Sequence, residues 1–387
     1  MSNLFGYEVT RAIPSDVLYG LISGKFKAYG GVIRWAAGTE QAGQIVQHLI
    51  PVAGIPGYGI ATAVASASST LTGLVNTYQL RQLSRDVDAL TAMTKHVLEA
   101  TVVSGVLSGL SLAVGAAGFS WLNVKVNKLN DEVLNIKSDV VDIKNFLERQ
   151  ERALFKVALK DLQDSERLKD EKHRYDSIQS ARKTVSTIRE KYKEQLQQTK
   201  DVDAAFIFQD YYCLAGLAQA RCRAELGQYE LAYEDAVETY KTWVEQARSI
   251  AKNMLIARQP ERFLYKEFAR MASIHETTEW MDFAHDKEKG LQWIDELRMD
   301  NRVWYESFAI ADIAKPSLKE AGQRVIEQRE KVIPRLQYLV ARNNVMLGLV
   351  SQYEFLMDNH IKPAEFEARI ASLRQDSMDG FVLLKKV

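Results

Sequence analysis

The sequence predicts a mainly α protein: a helical bundle with a long coiled-coil helix, apolar hairpin-like segments and a small N-terminal β element. Three observations carry that prediction. A heptad repeat runs from Val126 to Leu147. Two long stretches, Gln41–Leu80 and Thr101–Val124, contain no Asp, Glu, Lys or Arg. The composition has only seven prolines in 387 residues and is rich in strong helix formers. This length suffices for two or three domains with sizeable cores. The expected division is a β-containing segment over 1–50, apolar helices with a coiled-coil stalk over 51–160, and a helical domain over 161–387.

Fifty basic residues balance fifty acidic ones, so overall charge points to neither nucleic acid nor an acidic partner. The start, MSNLFGYEVTRAIPSD, lacks a basic stretch followed by an apolar one, so no secretory signal peptide is expected. Cys213 and Cys222 lie nine residues apart in one predicted helix. That is about 13 Å along the axis, beyond disulfide reach, and fits a reducing compartment. The expected location is the cytoplasm, with conditional attachment to a membrane.

Taken in order, the segment VLYGLISGKFKAYGGVIRWAAG mixes β-branched and aromatic residues with Gly pairs and reads as a hairpin or two strands. Within it, Gly20-x3-Gly24-Lys25 is one residue short of a phosphate-binding loop. Phe26 also stands where Ser or Thr is required, so these read as turn glycines. Gln41–Ile50 reads as a short helix or strand. After Pro51 and Pro56, a helix is expected over Gly59–Leu80, long enough for a bilayer core of about 20 residues. Ser66, Ser68, Ser69, Thr70 and Thr72 make it weakly apolar. Arg81–Ala100 is amphipathic, with Leu83, Val87, Leu90, Thr94 and Val97 in one row.

Thr101–Val124 is the strongest membrane candidate. Small residues recur at helical spacing, and Gly105-x3-Gly109 is a pattern that lets two helices approach closely in lipid. Gly115 and Gly118 continue the small-residue content. Trp121 precedes Lys125 and Lys128, as at a membrane interface. As a helix the run measures about 36 Å, enough to span. The other reading is a glycine-rich helix buried in a soluble bundle.

The heptad places Val126, Val133, Val140 and Leu147 at a, and Leu129, Ile136 and Ile143 at d. Gln150, Leu154 and Val157 continue the register with one polar interruption. Glu132 and Asp139 fall at g, and Lys137 and Lys144 at e. Each acid therefore has a base five residues later, the complementarity of parallel helices in register. A seam within one chain, against residues 81–100 or the C-terminal helices, is the alternative.

Beyond Lys160 the sequence turns polar and reads as solvent-facing helix, breaking near Thr199–Asp203. The spacing of Arg167 and His173 resembles that in certain ribonucleases, but a solvated helix explains it. Ala215–Trp243 resembles one tetratricopeptide-type helix pair, carried by Ala218, Leu226, Gly227, Tyr229, Ala232 and Ala236, and no further repeat follows. His275-Glu276-Thr277-Thr278-Glu279 has Glu279 where a zinc-protease helix needs its second His. Asp282 and His285 stand nearby at i and i+3, an incomplete ligand set. Pro334 is expected to kink a helix over Ser317–His360. No catalytic residue, metal or cofactor is assigned, and an enzyme is not expected.

In organisation, Gly59–Leu159 resembles the bacterial α-helical pore-forming toxins. That resemblance implies a charge-free hairpin sheltered in the soluble form and long helices that assemble into a ring. The expected function is conditional membrane association and pore formation through oligomerisation. The expected partners are other copies of the chain, a lipid membrane, and a protein bound at the C-terminal helical domain. The alternative is a soluble coiled-coil scaffold with both apolar segments permanently buried.

Overall fold

The computed structural model describes residues 2–10, 13–29, 32–36, 39–51, 149–256, 260, 263, 272–300, 332–373 and 381–386. Among them the fold is mainly α, with one antiparallel sheet.

The sheet begins with a hairpin, β1 (Ser2–Leu4) and β2 (Tyr7–Thr10), in which Leu4 pairs with Tyr7. Its two connecting residues, Phe5 at φ 54° and Gly6 at φ 82°, have the positive φ values of a tight hairpin turn. Gly adopts them freely, whereas Phe does so at a cost. Contacts of the Phe5 ring offset that cost: it stacks 6.3 Å from Phe366, and the Arg369 guanidinium lies 4.3 Å above it.

The expected pair of strands within residues 17–38 forms, but only in its second part, over residues 26–35. Ser15–Ile22 is a helix, α1, rather than a strand. Pro14 stands at its N-cap and Asp16 in its first turn, both suited to a helix start, and Val17, Leu18 and Leu21 fall on one side. Gly24, at φ 72°, turns the chain into β3 (Phe26–Tyr29), which pairs with β4 (Val32–Trp35). Strand β5 (Ile45–Pro51) pairs with β4 across a register shift between Ile33 and Arg34. The last strand, β6 (Phe381–Lys386), inserts between β2 and β5, giving the order β1-β2-β6-β5-β4-β3. Residues expected within the helical span 161–387 thus supply a central strand of the N-terminal sheet.

Both faces of the sheet are covered. Ile33 packs with Val17 of α1 on one side. On the other, Val9, Leu384, His48 and Val32 align across four strands. There Tyr7, Val9 and Leu384 share a core with Tyr353, Phe355, Leu356, Ile361 and Phe366 of the helical body.

That body comprises α2 (Arg149–Ser165), α3 (Glu171–Gln198), α4 (Val202–Glu225), α5 (Tyr229–Ile250, continuing into a π-turn at Ala251–Ile256), α6 (Ile274–His285), α7 (Gln292–Asp300), α8 (Ile333–Asn359) and α9 (Pro363–Leu373). The helix starts follow the sequence chemistry. Asp170 accepts from the His173 amide, Asp201 from that of Ala204, and Ser273 forms a reciprocal capping box with Glu276. Gly227, at φ 76°, ends α4 and allows the antiparallel turn into α5. Pro334 stands at the described start of α8, and residues 317–331, on the other side of the expected kink, lie outside the described residues.

Helix α4 is the centre of the body and is buried around most of its circumference. Its small residues make that burial workable. Gly216 packs so closely on α5 that an added Cβ would lie 2.4 Å from the Thr239 hydroxyl. Helix α3 is not the solvent-facing rod expected from its charge content. Ile178, Ala181, Val185, Ile188, Tyr192 and Leu196 form a buried stripe at helical spacing, and the charges occupy the remainder. Helix α2 joins the same core through Phe155, Ala158, Leu159 and Leu162, so the helical body begins before Lys160.

Candidate functional site

Every residue the sequence assigns to the membrane and assembly segment lies between 52 and 148, outside the described residues. These are Gly105, Gly109, Gly115, Gly118 and Trp121; the seam Val126, Leu129, Val133, Ile136, Val140, Ile143 and Leu147; and the charges Glu132, Lys137, Asp139 and Lys144. What the structure describes is the body from which that stretch departs in sequence, between Pro51 of β5 and Arg149 of α2.

Where β5 meets α8, the ring of His48 lies 5.0 Å from Phe355 and 6.1 Å from Tyr7. Burial, and then the charge of Arg34 on β4, lower its pKa to about 4. Arg34 in turn donates to Ser351 at 3.0 Å and to Glu354 at 3.2 Å on α8. One aromatic and one ionic contact therefore tie β5 and its neighbour β4 to the helical body.

Three buried ionic clusters hold the helices to one another. Between α4 and α9, Arg221 makes a two-pronged contact with Glu367, at 2.5 and 3.0 Å. Beside it Glu225 accepts from the Ala364 amide and from Arg174 of α3, each at 3.0 Å. Between α3 and α5, Arg189 reaches Asp235 at 3.4 Å and Glu238 at 3.0 Å. Asp235 also accepts from Gln219 at 2.8 Å and from Arg223 at 2.5 Å. Between α4 and α8, Asp210 binds Arg342 and accepts from the Tyr338 hydroxyl at 2.5 Å. Each carboxylate is satisfied by cationic or neutral donors, as buried charge requires. Cys213 adjoins the last cluster, but burial pushes its thiol up to about 12, so it stays protonated and unreactive at neutral pH.

The motif-like sequences resolve into structural roles. Gly20 lies in α1 with the Phe26 ring 2.0 Å from where its Cβ would stand, and the exposed Lys25 follows the turn at Gly24. His173 is exposed beside the cap residue Asp170. Glu276 is committed to the capping box and to Gln337, which donates to it at 3.0 Å. Asp282 accepts from the Trp293 indole at 2.8 Å and from the Lys289 amide at 2.7 Å, shaping the turn into α7. His285 lies 4.9 Å from the Trp293 ring. Among the described residues, no group of three or more His, Cys, Asp or Glu is placed to hold a metal. The α4–α5 hairpin, Val202–Ile250, is longer than the about 34 residues of a tetratricopeptide unit.

The ionic clusters were missed by sequence reasoning because their partners lie 12 to 146 positions apart. One signal was present: Asp210, Arg221, Arg223 and Glu225 interrupt the small and apolar residues of α4, and a charge in an all-round buried helix requires a partner. Among the described residues, no helix is long and apolar enough to cross a membrane. Comparison of the chain with protein-family models, curated protein sequences and solved structures finds no match.

Proposed function

We propose that the chain is a conditionally membrane-associating protein that forms pores by oligomerisation, exposing apolar helices held back in its soluble form. The observation that carries this reading is where the charge-free sequence falls. Residues 52–80 and 101–124 both belong to a single stretch between β5 and α2. The elements at its two ends belong to a body with a six-stranded sheet and a helical core of its own. A segment between such ends can change its surroundings without dismantling that body. Gly59–Leu80 and Thr101–Val124 would enter lipid, with Trp121 at the interface and Gly105 and Gly109 at helix contacts. The helical domain would control release or bind a protein partner. No catalytic step belongs to this reading.

The test is dye release from liposomes, with flotation of the bound fraction. Full-length protein should float with anionic vesicles and release dye, and Gly105→Leu with Gly109→Leu should reduce release at least tenfold. Protein that stays at the bottom of the gradient and leaves vesicles intact at both pH 7 and pH 5 would sink the pore reading. That outcome would favour the soluble scaffold, a reading supported by the Ser and Thr content of residues 66–72.

A further inference from the structure

We infer that α2 pairs with α2 of a second copy of this chain, parallel and in register, through the face carrying Leu154 and Val157. This deepens the self-assembly part of the proposed function and rests on it. The helix has two apolar faces. At about 100° per residue, Phe155, Ala158, Leu159 and Leu162 centre on one side, and all four are buried in the core of their own body. Leu154 and Val157 centre about 120° away and are 47% and 55% exposed.

A single exposed Leu or Val means nothing by itself. In sequence these two are a and d positions of the heptad that runs through Val140, Ile143 and Leu147, following one polar d position at Gln150. In sequence this face thus continues the apolar register of residues 126–147. Charge identifies the occupant. Glu132 and Asp139 at g meet Lys137 and Lys144 at e when the facing helix carries the same sequence in the same direction. Helix α3 packs on α2 and Ala158 on the e flank is buried, so the partner approaches across a, d and g, where the exposed Ala153 offers no bulk to clear. The next a and d residues are Asp161 and Asp164, both exposed. Facing copies of these would repel, so the seam ends after Val157.

Cysteine crosslinking of the full chain, without lipid, tests this. Native Cys213 and Cys222 are buried with thiols shifted upward, so an introduced exposed cysteine is the reactive one. Leu154→Cys and Val157→Cys should each form disulfide-linked dimers under copper–phenanthroline oxidation. Lys156→Cys, exposed but off the seam, should give at least tenfold less. Absence of dimer at both 154 and 157, as expected if residues 81–100 of the same chain cover the face, overturns the inference. Equal dimer at 156 overturns it too. In a second arm, Leu154→Glu with Val157→Glu should shift the mass by light scattering from assembled to monomeric while helicity is kept; an unchanged mass overturns the pairing. Failure here is distinguishable from failure of the membrane reading. Dye release without crosslinking removes only the pairing, and crosslinking without dye release removes only the pore.

Discussion

His48 shows how one side chain couples the sheet to the helical body. Its ring packs against Phe355 and Tyr7 beneath the positive charge of Arg34, an environment suited to neutral imidazole alone. Its folded-state pKa, about 4, lies below the ordinary 6.5, so as pH falls the unfolded chain takes up the proton first. The stabilisation is whole above about pH 6.5, shrinks through the interval below it, and is gone once pH falls past about 4. Across that window the unfolding free energy should drop by about 3 kcal/mol on account of this residue. Denaturant titrations at pH 7, 5.5 and 4 check it, with His48→Gln expected to flatten the slope. Burial and the charges of Lys252, Lys287 and Lys289 lower the pKa of His285 as well. The difference between wild type and variant therefore isolates His48, and superimposable curves would discard this account of it.

The seam between α4 and α5 shows what close packing between elements requires. Gly216 lets the two backbones approach until Thr239 fills the space a Cβ would need. Gly216→Ala should destabilise the protein by about 1–3 kcal/mol through overpacking, despite the better helix propensity of Ala. Thr239→Ala in the same chain should recover part of the loss, and a double-mutant cycle in urea measures the coupling. The hairpin itself was legible, because Gly227 and the small residues of α4 mark a turn and a close contact. So was the break at Thr199–Asp203, which falls between α3 and α4. The buried stripe of α3 was present in the spacing of Ile178, Ala181, Val185 and Ile188 but hidden by the surrounding charge. Helix α1 was misjudged because aromatic and glycine content outweighed the spacing of Val17, Leu18 and Leu21. The residues assigned to membrane contact and to the coiled-coil seam rest on charge pattern and register alone, as they lie outside the described residues.

At the scale of the whole molecule, β6 unites sheet and body. FVLLKK is a short apolar run whose pairing with strands more than 300 positions earlier leaves no local trace, so no periodicity could reveal it. Leu384 is buried in the core shared with Tyr7, Val9, Tyr353 and Phe355. Leu384→Asp should cost about 3 kcal/mol or more by burying an unpaired charge. Limited proteolysis should then cut within residues 2–51 at least tenfold faster while 171–250 stays resistant. Equal resistance of both regions would show that the sheet holds without this strand.

The same strand sets an order in time. A chain emerging from the ribosome at about 5–20 residues per second presents β5 on the order of 15–65 s before β6 follows it. Throughout that interval β2 and β5 each wait with one open edge. The newborn chain thus passes through a period in which its sheet is unfinished and two strand edges are open to pairing with another chain.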